Sequence, residues 1–172
     1  KAIREHFPAL LQRDLLTLSP PALPSIIEST YIFGNTDTGK TVLAAFMMLE
    51  EIRQMFLRRA PVDIYDRCCF VNVCDLIEKV RPTDDNKQAE ENLRYFCNVH
   101  LLVLDDLGGV KLTDWVIQTL YILINHRYEH LKKTIITSNY SLDELAVVLN
   151  DDRIPARIRR MGKVHEKISF YD

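Results

Sequence analysis

Eight consecutive residues, Gly34-Asn35-Thr36-Asp37-Thr38-Gly39-Lys40-Thr41, fit the pattern G-x-x-x-x-G-K-T. Backbone amides between two such glycines can curl around the phosphates of a nucleotide, and the N-terminus of a following helix adds the positive end of its dipole. Lys40 is then placed for the outer phosphates and Thr41 for Mg²⁺. Many loops of this kind carry a third glycine where this chain has Asp37. Aspartate tolerates positive φ better than most residues, so the loop can still form, with the carboxylate expected to point outward and to weaken binding.

A second constellation lies further along. His100-Leu101-Leu102-Val103-Leu104-Asp105-Asp106 is an apolar run ending in two carboxylates. In a parallel sheet the C-terminal ends of the strands form the ligand edge. Asp105 is expected to hold Mg²⁺, and Asp106 to orient or deprotonate an attacking water. Thr134-Ile135-Ile136-Thr137-Ser138-Asn139 is another apolar run with a polar end, which puts Asn139 within reach of the same water or of the γ-phosphate. Residues 153–167 hold six basic side chains and one acid, Glu166.

These groups need a scaffold, and the periodicity supplies one. Strands are predicted at 31–33, 69–73, 99–104, 134–137 and 167–171. Helices are predicted at 40–57, 75–80 and 87–97, with a polar loop at 82–86 between the last two. A long helix capped by Thr113 runs from Asp114 to near His130, and a capping box at Ser141-Leu142-Asp143-Glu144 opens a helix to Leu149. Strands separated by helices imply a parallel sheet covered on both faces. Residues 1–30 read differently: apolar residues at helical spacing (Ile3, Phe7, Leu10, Leu11, Leu15) precede a proline-rich connector at 19–24. The expected organisation is a leading helix and linker over 1–30 and one nucleotide-binding domain over 31–172.

Composition excludes several classes. At 172 residues, 47% hydrophobic and 27% charged, the chain can bury a sizeable core. With 22 basic and 24 acidic side chains the net charge is −2, which rules out a nucleic-acid grip by bulk charge but not by a local patch. The longest apolar runs, such as 101–104, have the length of buried strands and not of the roughly 20 residues that span a bilayer. The four cysteines, Cys68, Cys69, Cys74 and Cys97, have no C-x-x-C spacing and no paired histidines to complete a zinc set, and are expected to be reduced thiols of a cytoplasmic protein. The chain begins at Lys1 rather than Met, as a fragment would.

The sequence resembles the AAA+ helicase loaders of the DnaC type. The resemblance runs from about residue 31 to 172 and rests on GNTDTGKT, LLVLDDLGG, INHRYEHLKKTIITSNYSLDEL and DDRIPARIRR. The third run is the most specific, with Arg127 and Tyr128 feeding the strand that ends in Thr137, Ser138, Asn139, Tyr140 and Ser141. The IstB-type transposition ATPases are a close sister group. The resemblance implies a P-loop three-layer α/β sandwich with a central parallel five-stranded sheet in the order 5-1-4-3-2. It implies an ATPase that binds ATP or ADP with Mg²⁺ and helps place a hexameric replicative helicase on single-stranded DNA. Asn139 then takes the sensor 1 position. Arg157 matches the arginine finger that serves a neighbouring subunit, with Arg153 as the fallback. DNA contacts are expected from the region 75–97, where Lys79, Arg81, Lys87 and Arg94 are available. The helicase-binding part of such loaders is expected outside this chain, and no lid with a second sensor arginine is in view. The alternatives are a transposition helper acting on duplex DNA with a transposase, and a nucleotide-binding switch with little hydrolysis.

Overall fold

The computed structural model describes residues 28–58, 67–82 and 86–167; the leading helix and linker expected over 1–30 lie almost wholly outside them. Five strands, β1 (Thr30–Phe33), β2 (Cys68–Asn72), β3 (Leu101–Leu107), β4 (Lys133–Ser138) and β5 (Lys163–Glu166), form one sheet in the order β5-β1-β4-β3-β2, and every pairing is parallel. This is the topology expected from the resemblance. The helices are α1 (Lys40–Leu57), α2 (Val73–Val80), α3 (Asn86–Asn98), α4 (Asp114–Glu129), α5 (Leu142–Leu149) and α6 (Arg153–Met161).

Alternation along the central strands sends neighbouring side chains to opposite faces, so a strand buried on both sides reads as a continuous apolar run. Ile32, Leu101, Val103 and Ile135 pack under α1 with Ala44, Ala45, Met48 and Ile52. Tyr31, Leu102, Leu104 and Ile136 pack on the other face with residues of α2 to α6, including Leu76, Phe96, Leu120, Leu145 and Ile158. The result is three layers, with α1 the one helix among the described residues that covers the first side.

Two polar clusters pin these layers. At the start of the strands, buried Glu51 of α1 holds Lys133 Nζ at 2.6 Å and His100 Nε2 at 3.1 Å, which ties α1 to the entries of β4 and β3. Arg127 of α4 is fully buried. Its Nε donates to Thr134 Oγ1 at 2.9 Å, and Nη1 donates to the carbonyls of Phe96 and Val99 at 2.8 and 2.9 Å. The Phe96 carbonyl lies in the last turn of α3, where backbone acceptors have no intrahelical donor, and the Val99 carbonyl just past it, so one guanidinium closes α3 and fastens it to β4. Burial pushes the Arg127 guanidinium down to about 10.

The structure moves several predicted boundaries. β2 occupies 68–72 and not 69–73, because Asn72, its last residue, also caps α2, its Oδ1 accepting from the Cys74 amide at 2.9 Å, and Val73 opens the helix. β3 starts at Leu101 and not at 99, and runs through both aspartates to Leu107. Its register against β4 shifts between Leu104 and Leu107, and Asp106 takes φ 62° at the break. The last strand, expected at 167–171, is β5 at 163–166, paired with β1, and residues 168–171 lie outside the described residues. The arginine-rich segment, to which no element was assigned, is helix α6; Pro155 sits in its first turn, where a missing amide costs nothing.

Candidate nucleotide site

β1 ends at Phe33, and the chain turns through the loop into α1 at the C-terminal edge of the sheet. Three loop positions have positive φ: Gly34 (147°), Asp37 (62°) and Gly39 (83°). Asp37 adopts the left-handed conformation inferred for it and is exposed, as expected. Asn35 carries the loop's internal bonds: its carbonyl accepts from Thr38 Oγ1 at 2.9 Å and from Lys40 Nζ at 2.6 Å, while Lys40 Nζ also donates to the Gly34 carbonyl at 2.8 Å. The ammonium therefore lies folded over the loop. Burial lowers the Lys40 pKa, and the charges of Asp106, Asp105 and Asp37 oppose the shift.

Thr41 brings α1 to β3, its Oγ1 donating to Asp105 Oδ1 at 2.9 Å. The same carboxylate oxygen accepts from Thr137 Oγ1 of β4 at 2.7 Å, and the Thr137 hydroxyl in turn accepts from the Asp106 amide at 2.9 Å. Asp105 is buried, which raises its carboxyl above the ordinary range against the hydrogen bonds from Thr137 and Thr41. Asp106 is only half-buried, and Asn139 Nδ2 lies 3.4 Å from its Oδ1. The predicted pair Asp106 and Asn139 thus meets, although the two residues are 33 positions apart.

Two contributors were not singled out from the sequence. Thr137 links both aspartates to β4. Gly109 lies so close to Asp106 that a Cβ there would stand 2.1 Å from Oδ2. The signal for the first was the hydroxyl residue two before Asn139; for the second it was the Gly-Gly directly after the acidic pair.

The residues fit a nucleotide and its divalent cation. The amides at the N-terminus of α1 receive no side-chain cap. Those of α2, α4 and α5 are capped by Asn72, Thr113 and Ser141, while Asp152 at the start of α6 makes no such bond. Uncapped first-turn amides beside a lysine form an anion site, and the adjacent Thr41 hydroxyl and Asp105 carboxylate are oxygen donors of the kind Mg²⁺ takes.

Arg157 is elsewhere. It lies on α6 and is held by α4, with Nε donating to Asn125 Oδ1 at 2.7 Å, not by its own phosphate loop. Much of the basic run around it is already paired: Arg153 with Asp151 at 2.6 Å, Arg159 with Asp143 at 2.7 Å and Lys163 with Glu28 at 3.2 Å. Of the four DNA candidates, Lys79, Arg81, Lys87 and Arg94 are all exposed on or beside α2 and α3, and Arg81 pairs with Glu78 at 2.8 Å. All four cysteines are free thiols, with Cys68 and Cys97 buried.

The model of the family described as IstB-like ATP binding protein matches residues 9–166. The chain belongs to this ATP-binding family. An ATP-binding protein of insertion sequence IS5376 from Geobacillus stearothermophilus is 30% identical over 92% of this chain and 57% of its own length. The replicative helicase loader DnaI of Bacillus subtilis is 25% identical over 69% of this chain and 35% of its own. The chain therefore spans just over half of the first relative and about a third of the second. Among solved structures, the DnaC helicase loader superposes with a TM-score of 0.67 at 26% identity, covering 92% of this chain and 86% of that one. The fold is that of a P-loop AAA+ protein; the resemblance to helicase loaders holds in both sequence and structure, and the resemblance to IstB-type ATPases holds in sequence.

Proposed function

We propose that this chain is the Mg²⁺-ATP-hydrolysing module of a DNA replication factor, a loader that binds single-stranded DNA and helps place a hexameric replicative helicase. The observation that carries hydrolysis is the linked set at the strand ends: Thr41, Asp105 and Thr137 on one carboxylate oxygen, and Asp106 facing Asn139. A bare binding loop needs only the first of these.

The roles follow from position. Loop amides and Lys40 hold the β- and γ-phosphates, and Lys40 exchanges two loop carbonyls for phosphate oxygens. Thr41 and Asp105 are the residues that would hold Mg²⁺, which when bound neutralises charge on the phosphate oxygens. Asp106, less buried than Asp105, keeps its carboxylate for the attacking water, and Asn139 orients both. Arg157, held by α4 and not by its own loop, serves the nucleotide of a neighbouring copy. The likeness to the DnaC structure and to the DnaI sequence supports the loader reading.

A second reading, a transposition helper acting on duplex DNA, is favoured by the 30% identity to the insertion-sequence protein. Capture with the full-length tagged protein separates the two: a replicative helicase is expected, and a transposase in its place would overturn the loader assignment. Titration calorimetry with Mg²⁺-ATP tests the site itself. Lys40→Ala should lose most of the affinity while retaining the fold, and unchanged affinity would sink the assignment.

A further inference from the structure

We infer that Asn125 and Tyr121 are positioning residues for Arg157, holding its guanidinium ready for the phosphate oxygens of a nucleotide bound to a second copy of this chain. The inference rests on the reading of Arg157 as a residue acting in trans. Residues 121 and 125 are four apart on α4, and 153 and 157 are four apart on α6, so each pair shares one helix face. Asn125 Oδ1 accepts from Arg157 Nε at 2.7 Å, and Tyr121 Oη accepts from Nη2 at 3.4 Å. The Tyr121 ring centroid lies 5.4 Å from the Arg157 guanidinium carbon and 4.5 Å from that of Arg153.

The two arginines differ in charge environment. Arg153 donates to both carboxylate oxygens of Asp151, with Nη2 to Oδ2 at 2.6 Å and Nε to Oδ1 at 3.0 Å, so its charge is largely neutralised. The hydrogen-bond acceptors of Arg157 are a neutral amide and a phenol. Its charge reaches Asp151 only as a minor influence. A neutral clamp fixes a long side chain without cancelling the charge that a phosphate would meet. Both bonds also use the Nε–Nη2 edge and leave Nη1 out. This favours Arg157 over Arg153 as the residue offered to a partner.

Assembly mixtures of full-length variants test the clamp. Lys40→Ala subunits donate an intact Arg157, and Arg157→Ala subunits supply an intact phosphate loop, so mixing them should restore ATP hydrolysis. Asn125→Leu added to the Lys40→Ala donor should reduce that recovery at least about tenfold, since misplacement by about 1 Å costs on the order of 100-fold. The same change added to the Arg157→Ala acceptor should leave it within about twofold, a small fraction of that 100-fold cost. Equal loss from both placements would mean that Asn125 serves only the packing of α6 on α4 and would overturn the inference. Asn125→Asp gives a second readout: an ion pair with Arg157 would keep or raise the melting temperature while kcat falls with KM little changed. An Asn125→Asp protein with normal kcat would likewise overturn it. If the plain Lys40→Ala and Arg157→Ala mixture shows no recovery despite mixed assembly, the trans reading fails, and the clamp fails with it.

Discussion

Asp106 depends on a neighbour that has no side chain. At φ 62° it sits in the left-handed region, its carbonyl accepting from the Gly109 amide at 3.0 Å and its carboxylate lying against the Gly109 Cα. A methyl group at 109 would stand 2.7 Å from Cγ as well as 2.1 Å from Oδ2, so Gly109→Ala must push the carboxylate away. The expected outcome is a fall in kcat of roughly tenfold or more with little change in ATP affinity, since a displaced catalytic group acts mainly on the transition state. Asp106→Asn should show the same split, binding retained and turnover lost; a normal rate in Asp106→Asn would assign the water to another residue. On the binding side, Asp37→Gly should bind Mg²⁺-ATP at least as tightly as the natural chain by calorimetry, because it removes an exposed negative charge at the loop and suits the positive φ. At this scale the sequence was informative wherever function is contiguous. The phosphate loop is one run of eight residues, and its spacing is its geometry. Thr137 and Gly109 act through contacts across strands and turns, so their local signals, a hydroxyl two before Asn139 and a Gly-Gly after the acidic pair, gain meaning only once those contacts are seen.

At the scale of elements, most helix starts were legible, α2 opening at Val73 and not at 75, and strand limits less so, for a physical reason. A cap is a local bond. Ser141 Oγ accepts from the Glu144 amide at 3.3 Å and Glu144 Oε2 accepts from the Ser141 amide at 2.7 Å, and both partners lie within four residues of sequence. Ser141→Ala should destabilise the fold by about 1 kcal/mol in urea unfolding. The Ser141 amide, and after it the Ser141 side chain, hold the Glu144 carboxyl below its usual range. A depressed carboxyl contributes stability that is present above its unfolded pKa and is lost as the pH falls through the folded one. Ser141→Ala keeps the amide donor, so the pH dependence is read from Glu144→Gln, whose stability deficit against the natural chain should shrink below about pH 4.5 as Glu144 protonates. Strand limits are set by pairing with distant chain. β3 outran its apolar stretch because β4 reaches Leu107 through Ser138, whose Oγ also donates to the Leu107 carbonyl. The helix α6 was hidden by its composition, four arginines and a proline in nine residues, yet Ile154 and Ile158 bury against the core at helical spacing. Arg127 makes the strongest prediction at this scale. Arg127→Met would leave the carbonyls of Phe96, Cys97 and Val99 without their donor, at a cost on the order of 3 kcal/mol in unfolding free energy.

For the whole molecule, the question is how a chain of net charge −2 could hold a nucleic acid. The basic segment from α6 to β5 looks in sequence like a patch, but three of its cations are spent on Asp151, Asp143 and Glu28. Around α2 and α3, Arg81 is paired with Glu78 and stands 5.8 Å from the Trp115 ring centroid, and Lys87 lies 4.0 Å from Glu91. Neither face can supply many phosphate contacts from one copy. Affinity for DNA should therefore be weak in a single subunit and rise when Mg²⁺-ATP lines subunits up along a strand. Each subunit neutralising about two or three phosphates gives a slope of log affinity against log salt of roughly −2 per subunit on single strands. Fluorescence anisotropy with a labelled oligonucleotide, across salt and with and without Mg²⁺-ATP, measures both quantities. The loader reading expects single strands preferred over duplex, with the preference strengthened by nucleotide. Equal or tighter binding to duplex under the same conditions would move the protein to the transposition-helper side of its family. A flat salt response would show that the exposed lysines and arginines of α2 and α3 do not touch phosphate at all.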